Sequence, residues 1–278
     1  MKNYLKVLYW NIHGIHSRTL GDKNLDHQFI DIISGYDVVC LSELHTDKYL
    51  SLPGFTRKKQ KFRIKTHKGP KISGGIAVFV QQRLANNFQV IPNKNVDSIW
   101  IKTTPQSGES TKLGFYYCSP EGNATEFERT VVGEIEQLTT STRTYIFGDF
   151  NARIRTEKEN ILHDKYDEEL GIPTVMQENA LPRNSQDTKL INKRGRDFLD
   201  MCRTYDLTIA NGRILGDIFG RFTCHQSRGS SVVDYLVVPY KSISNVIDFV
   251  VGEHLPMLSD HCPLLSTLNI RSCLKMCP

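Results

Sequence analysis

Short apolar runs recur along the chain, and each predicts a buried strand. One run, Tyr145–Phe147, ends at Gly148 and is followed at once by Asp149, Phe150 and Asn151. Because an unpaired charge in a packed core is costly, we expect Asp149 and Asn151 to lie at the open end of the strand. Alternation along the chain places their side chains on one side and Phe150 in the core. A strand followed by an Asp-containing turn is the alternative interpretation.

Other predicted strands also end in polar residues. Strand ends can converge on one edge of a sheet, so a shared site at that edge is physically reasonable. Asp234 differs because it lies inside the strand Ser230–Val238, where a buried carboxylate requires a partner. The other polar residues are Asn11 after Leu5–Trp10, Glu43 after Tyr36–Leu41, Tyr117 at the exit of Leu113–Cys118, and Asp260 and His261 before Leu264–Leu268.

Helical spacing occurs in three stretches, between which the strands are irregularly clustered. This order favours an α/β or α+β sheet sandwich. The polar stretch Glu157–Lys193 predicts a long loop. Since no repeat or linker is visible, we expect one domain over residues 1–270 and an unstructured tail over 271–278. The helical stretches are Leu25–Ile33, a segment with Phe127, Val131, Ile135 and Leu138 on one face after a candidate capping box at Asn123 and Glu126, and Gly195–Asp206.

The composition is that of a globular protein: of 278 residues, 39% are hydrophobic and 23% are charged. The net charge of +5 is compatible with a polyanionic partner. The seven cysteines are scattered without the spacing of zinc ligands, which predicts reduced thiols in an intracellular protein, nuclear or cytoplasmic. The absence of a signal-peptide core or a membrane-length apolar run argues against secretion and membrane insertion.

A basic run lies between Arg57 and Lys71, where eight Lys and Arg residues occur with no acidic residue among them. Such a run is usually a solvated face of the protein. The alternative is a surface loop or hairpin that faces phosphate groups. The sequence alone leaves both interpretations open.

The polar residues at the strand ends suggest a reaction. Converging carboxylates repel one another, and a hard divalent cation relieves that repulsion. Oxygen ligands with little sulfur favour Mg²⁺. A His beside carboxylates titrates near neutrality, and an Asp partner fixes its tautomer. A Mg²⁺ ion, a His and a water held by an Asp suit the hydrolysis of a phosphate ester.

Six short motifs follow one another along the chain. They are W-N-I-H-G at Trp10–Gly14, L-S-E at Leu41–Glu43, Y-C-S-P at Tyr117–Pro120, G-D-F-N-A-R at Gly148–Arg153, S-S-V-V-D-Y at Ser230–Tyr235 and S-D-H-C-P-L at Ser259–Leu264. In this order they resemble the motifs of the endonuclease/exonuclease/phosphatase superfamily, which includes AP endonucleases and pancreatic deoxyribonuclease. The details are most similar to the AP-endonuclease-type endonuclease domain of non-LTR (LINE-type) retrotransposons, through N-G-R at Asn211–Arg213 and G-R-F-T at Gly220–Thr223.

The resemblance implies a fold and a set of residue roles. The fold is α/β, a four-layer sandwich of two packed mixed sheets flanked by helices. Glu43 would be the principal Mg²⁺ ligand, with Asn11 and Asp260 beside it, and Mn²⁺ would substitute. Asp149 would orient and deprotonate the attacking water, and Asn151 would hold Asp149 or the phosphate. His261, held by Asp234, would contact the phosphate, and Tyr117 would donate to the phosphate or assist the leaving oxygen. Weaker substrate contacts would come from Thr223, Ser231 and Asn211.

One departure affects the tyrosine. AP endonucleases have a shorter Y-x-P-N motif where this chain has Y-C-S-P, so either Tyr116 or Tyr117 can be the functional residue. Whether His261 acts as a base or as a stabiliser of the transition state is equally open.

The function implied by the resemblance is that of a Mg²⁺-dependent endonuclease. It would nick one strand of double-stranded DNA and leave a 3′-hydroxyl that primes reverse transcription of a retrotransposon, with a reverse transcriptase domain in a longer polyprotein as a candidate partner. The alternatives are a phosphatase of the same superfamily, acting on a phosphoinositide or a small phosphomonoester, and a non-catalytic DNA-binding derivative.

Overall fold

Two six-stranded mixed sheets lie face to face over the residues that the computed structural model describes, which are 2–63, 72–104, 110–120, 127–138, 143–159 and 182–274. In spatial order, the first sheet contains β15 (Val246–Val251), β16 (Leu264–Leu274), β1 (Lys2–Asn11), β4 (Val38–Ser42), β6 (Ile76–Gln81) and β5 (Phe55–Lys61). The second contains β11 (Leu207–Ile209), β14 (Asp234–Pro239), β10 (Thr144–Asp149), β9 (Lys112–Tyr117), β8 (Ser98–Thr103) and β7 (Phe88–Ile91).

Smaller elements surround the sheets. The α-helices of the described residues are short, and none of them is long and apolar enough to cross a membrane. They are α1 (His27–Ser34), α2 (Gly133–Leu138), which follows a π-helical turn at Glu128–Val132, and α3 (Lys193–Thr204). Two hairpins pair β2 (His16–Ser17) with β3 (Gly21–Asp22) and β12 (Cys224–Gln226) with β13 (Gly229–Ser231), and 3₁₀ turns occupy Lys23–Leu25, Gln82–Asn87 and Tyr240–Asn245.

Alternating side chains of the strands enter different apolar layers. In β1, Val7 and Tyr9 face the core between the sheets, whereas Leu8 and Trp10 face α1. Trp10 stacks on Phe29 of α1 with ring centroids 5.5 Å apart. A third apolar cluster packs α2 and α3 on the outer face of the second sheet. The order helix, sheet, sheet, helix confirms the predicted four-layer sandwich.

The second predicted helix has the expected buried face. Phe127, Val131 and Ile135 are buried in the cluster that covers the outer face of the second sheet, and Leu138 packs against it. The candidate capping box at Asn123 and Glu126 lies outside the described residues.

The polar residues at the strand ends share one edge of the double sheet. β1 and β4 are parallel, with Asn11 opposite Ser42. β9 and β10 are also parallel, with Tyr117 opposite Asp149. β14 runs antiparallel to β10, so its first residue, Asp234, lies opposite Asp149. Residues far apart in sequence are therefore brought together because their strands end at the same edge.

A buried tyrosine connects the two sheets at this edge. The Tyr9 hydroxyl donates to the backbone oxygen of Tyr116 and accepts from the backbone N–H of Asp149, both over 2.8 Å. It also lies 2.8 Å from Ser42 Oγ. Gly148 keeps β10 close to its neighbour, since a Cβ there would lie 2.9 Å from the Tyr116 Cβ. Together these contacts fix the position of the Asp149 backbone relative to both sheets.

Part of the basic run makes structural contacts within residues 57–63, which the structure describes. Lys61 Nζ lies 2.7 Å from both the Asn93 side-chain oxygen and the Asn95 backbone oxygen, and Arg63 forms a forked ion pair with Asp97. Lys59 is exposed, whereas Lys61 and Arg63 hold the edge strand β5 on neighbouring loops. Two further donors do the same, Arg57 to the Leu50 oxygen and Lys58 to the Ala85 oxygen.

Buried charges tie together the described ends of the predicted long loop Glu157–Lys193. Glu159 Oε1 lies 2.7 Å from a guanidinium nitrogen of Arg213, and Glu159 Oε2 lies 3.6 Å from Arg183 Nε. All three side chains are buried. Arg213 of the N-G-R motif thus has a structural partner, and residues 160–181 lie outside the described part of the chain.

The last strand is longer than the sequence predicts. β16 continues to Leu274, beyond the expected start of the tail at Arg271, because the first residues of β1 remain available for pairing and Lys2 lies opposite Leu274. The prediction of an unstructured tail from residue 271 is corrected over residues 271–274, and residues 275–278 lie outside the described range.

Candidate active site

Asp149 is buried at the end of β10, and hydrogen bonds from neutral groups hold both of its carboxylate oxygens. Asn11 donates from Nδ2 to Oδ2 over 2.9 Å, and the backbone N–H of Asn151 donates to Oδ1 over 3.0 Å. The Asn151 side chain instead donates to the backbone oxygen of Cys118 over 2.8 Å. These bonds fix the direction in which the Asp149 carboxylate faces.

A His–Asp pair lies opposite Asp149. His261 Nδ1 is 2.9 Å from Asp234 Oδ2, and His261 Nε2 is 4.0 Å from Asp149 Oδ2. Because the Asp234 carboxylate holds the proton on Nδ1, Nε2 is the ring atom directed toward Asp149. The structure thus brings His261 to the partner that the sequence predicts, and it supplies the partner that the buried Asp234 requires.

Two predicted substrate contacts hold the start of β14 and thereby Asp234. Asn211 donates from Nδ2 to the backbone oxygen of Asp234 over 3.1 Å, and its Oδ1 accepts from the backbone N–H of Leu236 over 3.1 Å. Thr223 Oγ1 accepts from the backbone N–H groups of Val233 and Asp234 over 3.0 and 3.1 Å. Both side chains are buried and make these contacts with protein backbone.

Glu43 and Asp260 lie on the more open side of the site. Their side chains are 15% and 23% exposed, against 1% for Asp149. The Tyr117 hydroxyl donates to Glu43 Oε1. His13 Nδ1 lies 3.7 Å from Glu43 Oε2 and 3.3 Å from Asp260 Oδ1, so its imidazole is positioned between the two carboxylates.

The two adjacent tyrosines point to opposite faces of the second sheet. Tyr116 lies in the outer layer, where its hydroxyl accepts from Trp100 Nε1 over 2.9 Å and donates to Glu134 Oε2 over 3.0 Å. Tyr117 has the other orientation and reaches Glu43. Of the two, only Tyr117 therefore contacts the site.

The acidic residues of this edge fit a divalent cation, although they are grouped differently from the predicted ligand set. Asn11, predicted beside Glu43, donates to Asp149 through Nδ2, and its Oδ1 accepts from the backbone N–H of His13. Asp234 Oδ1 is buried, and the described residues supply no hydrogen-bond partner for it. Within the described part of the chain, the His, Cys, Asp and Glu donors that lie within 4.8 Å of one another form two groups, Asp149–Asp234–His261 and Cys224–Asp260–His261. Oxygen-rich ligands of net negative charge are those that hard cations prefer.

Burial and like charge alter the proton affinity of this cluster. Burial, with a further contribution from the Asp234 carboxylate, raises the pKa of Asp149 to about 8. Burial lowers the pKa of His261, but the Asp234 and Asp149 carboxylates outweigh it and hold that pKa well above its ordinary value. For Asp260, burial raises the pKa and the nearby His13 and His261 lower it more, so the net shift is downward.

Strained backbone marks the same edge. His13, Glu43, His45 and Asn151 have φ angles between 45° and 53°, a region that non-glycine residues occupy at a cost of about 1–2 kcal/mol each. Such residues persist only where the surrounding structure holds them in place, and they occur most often at functional sites. The sequence predicts His13 and His45 only as surface or core residues, because it shows no matched partner for either. The position of His13 inside the W-N-I-H-G motif is the one signal that would have indicated it.

A cavity of about 420 Å³ opens beside His261. Asn151 and Ser231 line it together with His261, and Lys193 and Arg194 at the start of α3 add two cations to its wall. Ser231 is thus the one of the three predicted substrate contacts that borders this cavity. The cavity has the charge expected for an anionic ligand next to the His–Asp pair.

Comparison with solved structures identifies the same fold. The endonuclease domain of TRAS1, a telomere-specific non-LTR retrotransposon, aligns with a TM-score of 0.61 and 14% identity over 97% of this chain and 100% of that one. AP endonuclease LMAP from Leishmania major aligns with a TM-score of 0.60 and 13% identity over 96% of this chain and 88% of that one. The 3′ phosphatase NExo from Neisseria, bound to a product DNA hairpin, aligns with a TM-score of 0.53 and 15% identity over 94% and 98%.

The architecture is therefore that of an α/β sandwich with its polar site at one edge of two packed sheets. The chain belongs to the Endonuclease/Exonuclease/phosphatase family, whose sequence model matches residues 8–261. A search of curated proteins found no match. Family membership confirms the resemblance that the six motifs carry.

The raised pKa of Asp149 predicts a stability that depends on pH and on metal. Between the ordinary pKa of about 4 and the folded value of about 8, the folded protein binds more protons at this group than the unfolded chain does, so its stability falls as pH rises. His261 acts in the same direction. In EDTA, the free energy of unfolding measured with urea should therefore fall more steeply between about pH 5 and pH 8 in the parent than in Asp149→Asn.

Bound metal should flatten this dependence, because a cation stabilises the carboxylate form. The parent measured with Mg²⁺ should lose less stability over the same interval than the parent in EDTA. Asp200→Asn, which changes an exposed carboxylate, serves as the control and should retain the parent slope. Equal slopes in the parent and Asp149→Asn without metal contradict the assigned shift.

Proposed function

We propose that the protein is a Mg²⁺-dependent DNA endonuclease that nicks one strand and leaves a 3′-hydroxyl. The observation that carries this proposal is the opposition of two groups across a short gap. Asp149, fixed by Asn11, lies 4.0 Å from the Nε2 of His261, which Asp234 holds from behind. A carboxylate that can take a proton therefore faces an imidazole that can bind a phosphoryl oxygen.

The proposed reaction is an in-line hydrolysis. Asp149 orients a water molecule and accepts its proton, the water oxygen bonds to phosphorus, and the P–O3′ bond breaks. The O3′ oxygen leaves and takes up a proton from solvent water, and Asp149 later releases its proton to solvent, so the products are a 3′-hydroxyl and a 5′-phosphate. We propose that His261, whose pKa is raised by the Asp234 and Asp149 carboxylates, stabilises negative charge on the phosphoryl oxygens.

Glu43 and Asp260 are the residues that would hold Mg²⁺. When bound, the ion supplies charge neutralisation at the phosphate and lets the clustered carboxylates coexist. Tyr117 donates to Glu43 and would orient that carboxylate, and we propose that its hydroxyl also contacts the phosphate of a bound substrate. We propose positioning roles behind Asp234 for Asn211 and Thr223, and a substrate-facing role for Ser231.

DNA is the substrate that the comparisons favour. The three solved structures named above are, by their descriptions, a retrotransposon endonuclease domain, an AP endonuclease and a phosphatase bound to a DNA hairpin. The net charge of +5 and the cations at the start of α3 are consistent with a polyanion. Action in target-primed reverse transcription, with a reverse transcriptase domain as partner, is the retrotransposon form of this proposal.

A phosphatase is the second candidate, and the fold shared with NExo favours it. The same Asp–His constellation can hydrolyse a terminal phosphate if the leaving group is the 3′-oxygen of a strand end. Release of inorganic phosphate without nicking would favour this candidate over the endonuclease.

Replacing either side of the Asp–His gap should abolish nicking. Asp149→Asn loses the proton acceptor and His261→Gln loses the imidazole, so each should slow Mg²⁺-dependent relaxation of supercoiled plasmid by at least about 10²-fold. Phosphate release from a 3′-phosphorylated nick is measured in parallel. Asp200→Asn is the matched control and should nick at the parent rate. Nicking by both site variants at the parent rate would refute the assignment.

The two tyrosines should separate activity from stability. Tyr117→Phe removes the hydroxyl that contacts Glu43 and should slow nicking by about a hundredfold with little loss of stability. Tyr116→Phe leaves the buried Trp100 N–H without its acceptor, while Glu134 keeps its hydrogen bonds from Asn93 and Ser98, so it should cost about 1–3 kcal/mol of unfolding free energy while nicking is retained. Plasmid nicking and urea unfolding of both variants test the pair, and the reverse pattern would assign the functional role to Tyr116.

A further inference from the structure

A thiol lies next to the catalytic imidazole. Cys224 in β12 is 3% exposed and pairs with His261 through an isolated antiparallel bridge. Backbone hydrogen bonds on both sides fix this pairing, from the His225 N–H to the Asp260 oxygen over 2.7 Å and from the Cys262 N–H to the Thr223 oxygen over 2.8 Å. As a result, a sulfur, an imidazole nitrogen and a carboxylate oxygen of Cys224, His261 and Asp260 all lie within 4.8 Å of one another.

This donor set differs in kind from the acidic edge. Since Asp234 occupies His261 Nδ1, Nε2 is the ring nitrogen that would bind a metal, and a carboxylate behind the imidazole is the arrangement that orients histidine ligands in metal sites. A thiolate with an imidazole and one carboxylate selects Zn²⁺ or Cd²⁺, whereas Mg²⁺ prefers oxygen alone. The two sites share His261 and Asp260, so they cannot both be used at once.

We propose that Cys224, Asp260 and His261 bind a thiophilic divalent cation, Zn²⁺ or Cd²⁺, and that this binding switches off the Mg²⁺-dependent site. On binding, the Cys224 sulfur and His261 Nε2 form bonds to the metal, and any protons that they carry pass to water. No electrons are transferred. Inhibition follows because the bound metal removes His261 and Asp260 from the reaction. The binding claim stands by itself, and the inhibition claim rests on the proposed function.

The neighbouring cysteines provide the contrast that the test needs. Cys262 follows His261 directly but packs in the apolar core between the sheets. Cys40, Cys118 and Cys202 are likewise buried in apolar clusters. Among the described residues, none of these four belongs to a group of potential metal donors. Cys262→Ser is therefore a matched control for Cys224→Ser, at a buried thiol close by in the fold.

The test measures cadmium–thiolate absorption in the full chain in excess Mg²⁺. The two C-terminal cysteines, Cys273 and Cys277, are replaced by serine so that their thiols do not contribute to the absorption. Titration with CdCl₂ should give a charge-transfer band that saturates at one equivalent. Cys224→Ser should abolish the band, Cys262→Ser should retain it, and His261→Ala should weaken cadmium binding by at least about tenfold. A band that survives in Cys224→Ser, or that is lost equally in Cys262→Ser, overturns the proposal.

A second measurement covers the case in which Cys224→Ser fails to fold. The chain that retains Cys224, with Cys273 and Cys277 replaced by serine, is loaded with zinc and measured by X-ray absorption. The zinc should have one sulfur ligand, and a zinc coordination shell without sulfur overturns the proposal. Plasmid nicking supplies the inhibition arm: Zn²⁺ should inhibit the parent and Cys262→Ser, and should inhibit Cys224→Ser at least about tenfold less well. Metal binding without inhibition refutes the switch alone, whereas a parent that does not nick in Mg²⁺ refutes the proposed function and leaves the binding result intact.

Discussion

Two buried carboxylates, Asp149 and Asp234, face each other on paired strands, and the rest of the site is arranged around their repulsion. An oxygen of one carboxylate lies within 4.8 Å of an oxygen of the other. Two like charges this close in a poorly solvated environment cannot both persist without a compensating charge. His261 supplies part of that compensation, since it lies 2.9 Å from one carboxylate and 4.0 Å from the other. A cation bound at the open side, as proposed, would supply the rest. The cluster is costly for folding and suited to chemistry for the same reason.

The two sheets make this arrangement rigid. The Tyr9 hydroxyl reaches across from β1 in the first sheet and holds the backbone of Asp149. Asn11, the last residue of β1, holds the Asp149 carboxylate. On the other side, Asn211 and Thr223 hold the first residues of β14. The catalytic groups thus inherit their spacing from the packing of the sheets, and a change in that packing would alter the distance from Asp149 to His261.

Local patterns carry a large part of this account because strand ends are local features. An apolar run that stops at Asp149 or Asn11 indicates a strand end without knowledge of the fold, and the buried Asp234 requires a partner wherever it lies. The contacts that cross between sheets have no such signal. Tyr9 reads as an ordinary core residue, yet its hydroxyl bonds to atoms 107 and 140 residues away. The cations of the basic run likewise look available in sequence, and only the packed loops reveal that Lys61 and Arg63 are bound.

The function proposed for this edge of the double sheet is hydrolysis of an internal phosphodiester of DNA, with cleavage of the bond to O3′. The most direct test is to map the positions and the chemistry of the ends produced on a long natural duplex in Mg²⁺. We expect single-strand nicks whose 3′ ends are extended by a DNA polymerase without prior treatment and whose 5′ ends carry phosphate. Nicks that end in 3′-phosphate, or the absence of any Mg²⁺-dependent cleavage, would contradict it.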